Sequence, residues 1–132
     1  MSGDVTCTMT VAASPDVVAR YFTDAELMLT WMGERAELDA VSGGRFAVDI
    51  RGTAVRGTYL DVSPNRIVFT WGFAGSAELP PCSSRVEVTL TEVAEGTRVD
   101  LVHSGLPGEE RPKHRQGWHF FTAILRTVVS AS

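Results

Sequence analysis

Six short apolar segments between residues 35 and 104 are joined by connections too short for anything except antiparallel hairpins. Four of these connections are the turns SGG, RGTA, SPNR and AEG, and one is the longer loop GSAELPPC. A parallel pair of strands needs a crossover of about a dozen residues or more, which none of them supplies. The predicted strands are residues 35–41, 44–51, 54–62, 66–73, 84–94 and 97–104.

The chain before residue 35 predicts one more strand and two short helices. Apolar residues alternate with threonine from Val5 to Val11, which is the period of a half-buried strand and makes the predicted strands seven. The segment SPDVVARYF predicts a short helix with Ser14 as its N-cap. The segment DAELMLTWM predicts a second one, capped by Thr23 or Asp24.

The end of the chain has the spacing of a long amphipathic helix. Its buried stripe is predicted to contain His114, Trp118, Phe121, Leu125 and Val128, and its polar side Arg115, His119, Thr122 and Arg126. The concave face of the sheet is the surface that can cover such a stripe. The order of elements therefore predicts an α+β fold in which a curved antiparallel sheet of seven strands wraps around a long C-terminal helix, with an internal space between them.

Length and charge narrow the classes of protein to consider. A chain of 132 residues is expected to form a single domain over residues 1–132. The 12 basic and 16 acidic residues are interspersed, which argues against nucleic acid and anionic membranes as partners. Cys7 and Cys82 lack the spacing of a metal site and are expected to stay reduced, and no segment has the length of a membrane span. These features predict a cytoplasmic protein.

Several motifs, taken in order, resemble one family over nearly the whole chain. They are WMG at 31–33, SGGRF at 42–46, RGTYLDVSPNRIVFTW at 56–71, EGTRVDLVHSGLP at 95–107 and GW at 117–118. The sequence resembles the activator of heat-shock protein 90 ATPase homologue-like proteins of the SRPBCC superfamily. The resemblance implies the START and birch-pollen-allergen type of helix-grip fold, while function varies widely within that superfamily. The chaperone activators that name the family carry a separate N-terminal chaperone-binding domain, which these motifs do not include.

The three histidines receive different interpretations. His114 and His119 are five residues apart, so on a helix they point in different directions and cannot bind one metal ion. His119 is predicted to be solvated. His103 shares its strand phase with Val99 and Leu101, so it faces the interior wherever they do. His103 and His114 are thus predicted either as polar groups on a cavity wall or as hydrogen-bonded structural histidines.

Other site chemistries find no support in the sequence. No HExxH or GxSxG motif is present, so neither a metal ion nor a nucleophile triad is expected, and no cofactor is predicted. The glycines of SGGRF and EGTR are followed by strand patterns rather than by helices, which predicts turns instead of phosphate-binding loops.

Aromatic residues occur on the short helices, the strands and the final helix, all of which converge on the same interior in a helix-grip fold. Ordinary core packing accounts for part of them. The remainder predict an apolar cavity, in which sparse polar groups such as His103, Tyr59, Asp61 or Arg51 orient a ligand. The predicted ligand contacts are Trp31, Phe46, Tyr59, Phe69, Trp71, His103, His114, Trp118 and Phe121.

Three hypotheses of function follow. The first is binding of a small hydrophobic or aromatic ligand in the internal cavity, by a protein with no enzymatic activity or only a weak one. The second, by resemblance to aromatase/cyclase members of the superfamily, is an enzyme acting on a polyketide, with His103 or His114 as the base and Tyr59 as a donor. The third is an interaction module that contacts a chaperone or forms a homodimer through the outer face of the sheet.

Overall fold

The computed structural model describes residues 3–131. Seven strands, three α-helices and one 3-10 turn lie within this part of the chain. In order they are β1 (Val5–Val11), α1 (Pro15–Thr23), α2 (Ala25–Met28), β2 (Arg35–Leu38), β3 (Arg45–Ile50), β4 (Thr53–Ser63), β5 (Arg66–Trp71), β6 (Ser84–Val93), β7 (Gly96–Ser104), the 3-10 turn (Gly108–Glu110) and α3 (Arg111–Ala131).

The strands form one sheet in the order β1-β7-β6-β5-β4-β3-β2. Every neighbouring pair is antiparallel, as the short connections require. Six strands follow one another as hairpins, and β1 joins the far edge beside β7, where Cys7 pairs with Leu101. The predicted seven-stranded curved antiparallel sheet and its helix-grip architecture are therefore confirmed.

Two predicted strands end earlier than expected. The strand predicted to reach residue 41 ends at Leu38, because the backbone turns there and the Val41 N–H donates to the Asp39 carbonyl at 2.8 Å. The strand predicted to reach residue 73 ends at Trp71, since the Phe73 N–H is taken by the carbonyl of Leu79 in the following loop, also at 2.8 Å.

The short helices correct two further predictions. The Ser14 hydroxyl does not cap α1 but donates to the Asp16 carboxylate at 2.5 Å. Asp24 does cap α2, accepting the Leu27 N–H at 3.1 Å. The second helix, predicted over residues 24–32, ends at Met28, because the chain is already turning toward Gly33, which has a φ of 89°.

Helix α3 buries the predicted stripe only in part: Phe121 and Val128 are half-buried, and Val129 is buried in place of Val128. His114, Trp118 and Leu125 are buried and His119 is exposed, as predicted. Thr122 was predicted on the polar side but is buried. Its hydroxyl donates to the Trp118 carbonyl one turn earlier, at 2.6 Å, and lies 3.3 Å from the buried Cys7 Sγ of β1, so its polar atom has partners inside the protein.

An aromatic cluster fills the centre of the interior. The rings of Phe46 and Phe69 stack with their centroids 4.1 Å apart, and the Tyr59 ring meets Phe46 edge-on at 5.6 Å. The Tyr59 hydroxyl donates to the Phe22 carbonyl at 2.8 Å, which ties α1 to β4. This cluster fills the interior beside β3, β4 and β5 with packed rings.

Residues 3–131 contain neither a membrane-spanning helix nor a cluster of side chains suited to a metal ion. Among residues 3–131, no helix combines the length and apolar character needed to cross a bilayer. In the same part of the chain, no three His, Cys, Asp or Glu side chains come together in a way that would hold a metal ion. Cys7 is a buried free thiol and Cys82 an exposed one.

Candidate functional site

A cavity of about 340 Å³ lies between the N-terminal half of α3 and the strands β3, β4 and β5. Helix α3 makes its closest backbone approach to β1, at one edge of the sheet. Toward the opposite edge of the sheet, side chains connect the helix to the strands. The cavity is the space that remains between these side chains. Its volume is at the lower end of the range of small-molecule pockets. Its apolar walls include Met32, Val55, Trp71, Phe73, Trp118 and Phe121.

Two tryptophans form the floor of the cavity. Trp71 is the last residue of β5, and Trp118 lies two turns into α3. Their ring centroids are 5.3 Å apart, and both side chains are buried. Each indole N–H donates to a histidine, so the floor is fixed by polar contacts as well as by packing.

The hydrogen bonds of His103 determine its tautomer. Trp118 Nε1, which can only donate, lies 3.0 Å from His103 Nδ1, so Nδ1 is the acceptor. The Ser84 hydroxyl donates to the Trp71 carbonyl at 2.7 Å and therefore accepts from His103 Nε2 at 2.8 Å. His103 is thus a neutral Nε2–H imidazole with both ring nitrogens bonded to the protein.

His114 is held as the opposite tautomer. Trp71 Nε1 donates to His114 Nε2 at 3.2 Å, which makes Nε2 the acceptor. His114 Nδ1 then donates to the Glu110 carbonyl one turn earlier, at 2.9 Å. Both nitrogens of this second ring are also committed to the protein, although one edge of the ring lines the cavity.

Burial keeps both histidines neutral. Burial, with a smaller contribution from neighbouring His114, lowers the pKa of His103 from 6.5 to about 3. Burial also lowers the pKa of His114, a change that the Glu110 carbonyl and carboxylate oppose only in part. Neither imidazole is therefore a free acid or base near neutral pH.

The mouth of the cavity is formed by exposed residues, among which Arg51 is placed by an unusual backbone. Arg51 has a φ of 50° and the next residue, Gly52, a φ of 82°, which together make the tight β3–β4 turn. A left-handed conformation costs a non-glycine residue about 1 kcal/mol or more. The turn is held by the Glu34 carboxylate, which accepts the Arg51 N–H at 2.6 Å.

The Arg51 side chain reaches from this turn across to α3. Its guanidinium carbon lies 4.8 Å from the ring centroid of Phe120 and 5.7 Å from that of Phe121, both within the range of a cation–π contact. Phe120 keeps 49% of its area exposed, so this contact lies at the protein surface. Arg51 and the two rings span the gap between sheet and helix.

The other two charged side chains that line the cavity form an ion pair with each other, and the neutral His114 ring adds a polar contact to Glu110. Lys113 Nζ lies 3.6 Å from one Glu110 carboxylate oxygen, and His114 Nδ1 lies 3.5 Å from the other. The Glu110 side chain is only 17% exposed. Among the described residues, no carboxylate forms an ion pair with the Arg51 side chain, although the Glu34 carboxylate binds the backbone N–H of the same residue. Of the charged side chains that line the cavity, Arg51 is therefore the one without an ion-pair partner among the described residues.

The residues predicted from the sequence as ligand contacts divide into two groups. Those that line the cavity are Trp71, His114, Trp118 and Phe121. Those that lie buried in the core are Trp31, Phe46, Tyr59, Phe69 and His103. Of the polar groups suggested to orient a ligand, Arg51 lies at the mouth, whereas Asp61 forms an exposed ion pair with Arg66 at 2.9 Å.

Sequence reasoning missed several lining residues. Met32 and Phe73 follow the ends of α2 and β5, where periodicity gives no direction for a side chain. Glu110 and Lys113 read as ordinary surface charges at the start of a helix. One signal was available: Gly117 lowers the stability of a helix interior by about 1 kcal/mol relative to Ala, and such a residue has a packing or functional reason.

Comparison with known proteins supports the assignment of the fold. The model of the family described as Activator of Hsp90 ATPase homolog 1-like protein matches residues 12–130. The human Activator of 90 kDa heat shock protein ATPase homolog 1 is 30% identical over 128 residues, covering 93% of this chain and 36% of that protein. The chain therefore spans about a third of the length of the curated relatives it matches.

Two solved structures extend the comparison. A protein from Mesorhizobium loti matches with a TM-score of 0.86 at 22% identity, covering 98% of each chain. An Hsp90 activator from Plasmodium falciparum matches with a TM-score of 0.79 at 25% identity, covering 95% of this chain and 94% of that one. Both similarities extend over nearly the full length of the chains compared.

Proposed function

The chain belongs to the Activator of Hsp90 ATPase homolog 1-like family, and from that premise and the cavity under α3 we propose that it binds a small hydrophobic or aromatic ligand there. The observation that carries this proposal is an unfilled, mostly apolar space with two tryptophans on its floor. Removing apolar surface from water contributes about 25 cal/mol per Å². A ligand small enough to fit the cavity would therefore gain affinity mainly from burial of its apolar surface. The few polar groups at the mouth would orient it.

The hydrogen bonds of the histidines favour binding over proton transfer. A general base needs a free nitrogen within reach of the proton it removes. Both nitrogens of His103 and His114 are occupied by protein groups, and the Tyr59 hydroxyl is committed to the Phe22 carbonyl. The cyclase hypothesis needs at least one of these three groups to be available, so the geometry supports it less well.

Gly117 offers a direct test of the binding site. A Cβ at this position would meet no atom within 4 Å, and the free space beside it is the cavity. We expect Gly117→Leu to fill the cavity and abolish binding, and Gly117→Ala to retain it. The measurement is native mass spectrometry with a panel of hydrophobic metabolites, together with quenching of tryptophan fluorescence, to which Trp71 and Trp118 on the floor would contribute.

The two variants also define what would overturn the proposal. Both replace glycine by a good helix former, so each is expected to fold with at least the helix stability of the natural sequence. Ligands that bind the Leu variant as tightly as the unaltered protein would bind elsewhere. If no member of the panel binds the unaltered protein, the cavity is not a ligand site.

A second candidate function is interaction with Hsp90. The relatives that favour it are the human protein and the Plasmodium falciparum activator, whose names assign them to that chaperone. The test is to titrate purified Hsp90 with this chain, measuring binding by calorimetry and ATP hydrolysis by phosphate release. Saturable binding with a faster ATPase would support the candidate, and the absence of heat together with an unchanged rate would remove it.

A further inference from the structure

We propose that the ligand carries a carboxylate, bound at the mouth of the cavity by Arg51 while its apolar part lies on the floor. This inference rests on the proposed ligand-binding function and specifies its chemistry. It comes from three features of the mouth: the balance of charge, the backbone of the β3–β4 turn and the position of the Arg51 side chain.

The charge at the cavity selects an anion over a cation. Glu110 faces the cavity but already has Lys113 at 3.6 Å and His114 at 3.5 Å. The Arg51 guanidinium stacks on the rings of Phe120 and Phe121, and among residues 3–131 no carboxylate forms an ion pair with it. A cationic ligand would have to take Glu110 from its partners, whereas an anionic one meets a cation that has no carboxylate.

The backbone of the β3–β4 turn gives no reason for an arginine at position 51. In a two-residue hairpin turn with two positive φ values, asparagine, aspartate and glycine are favoured because they tolerate the left-handed conformation. Arginine has no such advantage, yet it occupies this position with a φ of 50°. Backbone strain of this kind concentrates at ligand clamps and active sites.

The resting position of the guanidinium suits capture of a carboxylate. Stacked on Phe120 and Phe121, it lies at the edge of the cavity with its hydrogen-bonding nitrogens unpaired by any carboxylate of the described residues. A guanidinium presents a planar fork that binds a carboxylate through two parallel hydrogen bonds. Stacking on a ring and binding an anion at the edge are compatible, so Arg51 need not leave Phe121 to hold the ligand.

Matched naphthalene probes separate the charge requirement from the apolar one. The probes are naphthalene-2-carboxylate, naphthalene-2-carboxamide and naphthalen-2-ylmethylammonium, titrated calorimetrically at pH 7. We expect the carboxylate to bind the unaltered protein about tenfold or more tighter than the amide, and the ammonium weakest. In Arg51→Asn, the carboxylate and the amide should bind equally.

Replacing Arg51 by Asn allows a loss of the ligand anchor to be distinguished from a loss of folding. Asn is favoured at this turn position, which offsets the lost contacts of Arg51 with Phe120 and Phe121, so Arg51→Asn should keep the melting temperature within a few degrees of the unaltered protein while losing the preference for the carboxylate. Arg115→Asn, which removes the same charge from the exposed side of α3, is the matched control and should keep the preference. Arg51→Lys should keep part of it, because a charge remains without the planar fork.

The outcomes distinguish this inference from the function on which it rests. If all three probes bind equally and Gly117→Leu abolishes their binding, the cavity binds ligands but the carboxylate does not matter. If the ammonium binds best, Glu110 is the anchor and the inference is wrong. If the preference for the carboxylate survives in Arg51→Asn, the anchor is another residue. If none of the probes binds the unaltered protein, both proposals fail for ligands of this shape.

Discussion

At the scale of single residues, two indole N–H groups determine which nitrogens of the buried histidines carry a proton. An indole nitrogen can only donate, so Trp118 and Trp71 each require an unprotonated nitrogen on the histidine they face. Protonating either ring would bring two N–H donors together in a buried place. The histidines are therefore kept neutral by their partners and by burial, and protonation must break part of the connection between α3 and the sheet.

This arrangement predicts that the protein loses stability in mild acid. The pKa of His103 is about 3 in the folded protein and 6.5 as an ordinary side chain, so the unfolded chain binds more protons between these values. Its contribution to stability is complete above pH 6.5 and is lost as the pH falls toward 3. At pH 5 we expect His103 alone to lower the free energy of unfolding by about 2 kcal/mol, with His114 acting in the same direction.

Urea unfolding at pH 5.0, 6.0 and 7.0, which covers roughly the upper part of this transition, measures the effect before most carboxylates titrate. His103→Gln should flatten the dependence of unfolding free energy on pH, whatever its effect on stability at pH 7. His119→Gln removes an exposed histidine and should leave the dependence unchanged. A slope in His103→Gln equal to that of the unaltered protein would assign the effect to other groups.

At the scale of elements, two glycines lie in opposite surroundings, one against the backbone of a neighbouring strand and one beside open space. Gly57 lies in β4, where an added Cβ would stand 1.8 Å from the Thr70 carbonyl oxygen of β5. The neighbouring Thr58 N–H bonds to the Thr70 hydroxyl at 2.8 Å instead of to a backbone carbonyl, so the two strands approach irregularly here. Gly117 lies in α3 beside open space. One glycine permits close packing, and the other leaves a space unfilled.

Replacing glycine by alanine should consequently change the stability of the protein in opposite directions at the two positions. Gly57→Ala is expected to destabilise the protein by about 1–3 kcal/mol or more, because the clash is with backbone that cannot move without distorting the sheet. Gly117→Ala is expected to stabilise it by up to about 1 kcal/mol through helix propensity. Thermal and urea unfolding of the two variants provide the measurement. Equal effects of the two would mean that the local surroundings of these glycines do not decide stability.

The sequence predicted the type and order of the helices and strands better than the residues at which they end or the side chains that they contact. Alternation from Val5 to Val11 and the short turns specified the antiparallel sheet, because strand period and turn length act locally. Thr122 was placed on the wrong side of α3, since a hydroxyl counts as polar until its bond to the Trp118 carbonyl is known. The ends of β2 and β5 depend on hydrogen bonds formed by the following loops, which leave no periodic signal.

At the scale of the whole molecule, the candidate site depends on where helix and sheet separate. The sequence indicated an interior rich in aromatic residues but not which of them would be packed. Phe46 and Phe69 stack with each other, whereas Trp71 and Trp118 are placed at the edge of an unfilled space. That difference arises because α3 lies close to β1 and away from β3–β5, a distance that no single segment determines. Arg51 enters the site through a turn conformation that its residue type does not favour.

The same geometry predicts where a bound ligand would protect the backbone from hydrogen exchange. The N-terminal half of α3 and the β3–β4 turn face each other across the cavity and are bridged by Arg51, whereas β1 and β7 pair along their whole length. Regions with less packing open more easily. We expect a ligand such as naphthalene-2-carboxylate to slow exchange in residues 111–121 and 50–53, measured by mass spectrometry at saturating ligand, and to leave residues 97–103 nearly unchanged. Uniform slowing across the sheet would indicate general stabilisation of the fold, and protection confined to the outer strands would place the ligand outside the cavity.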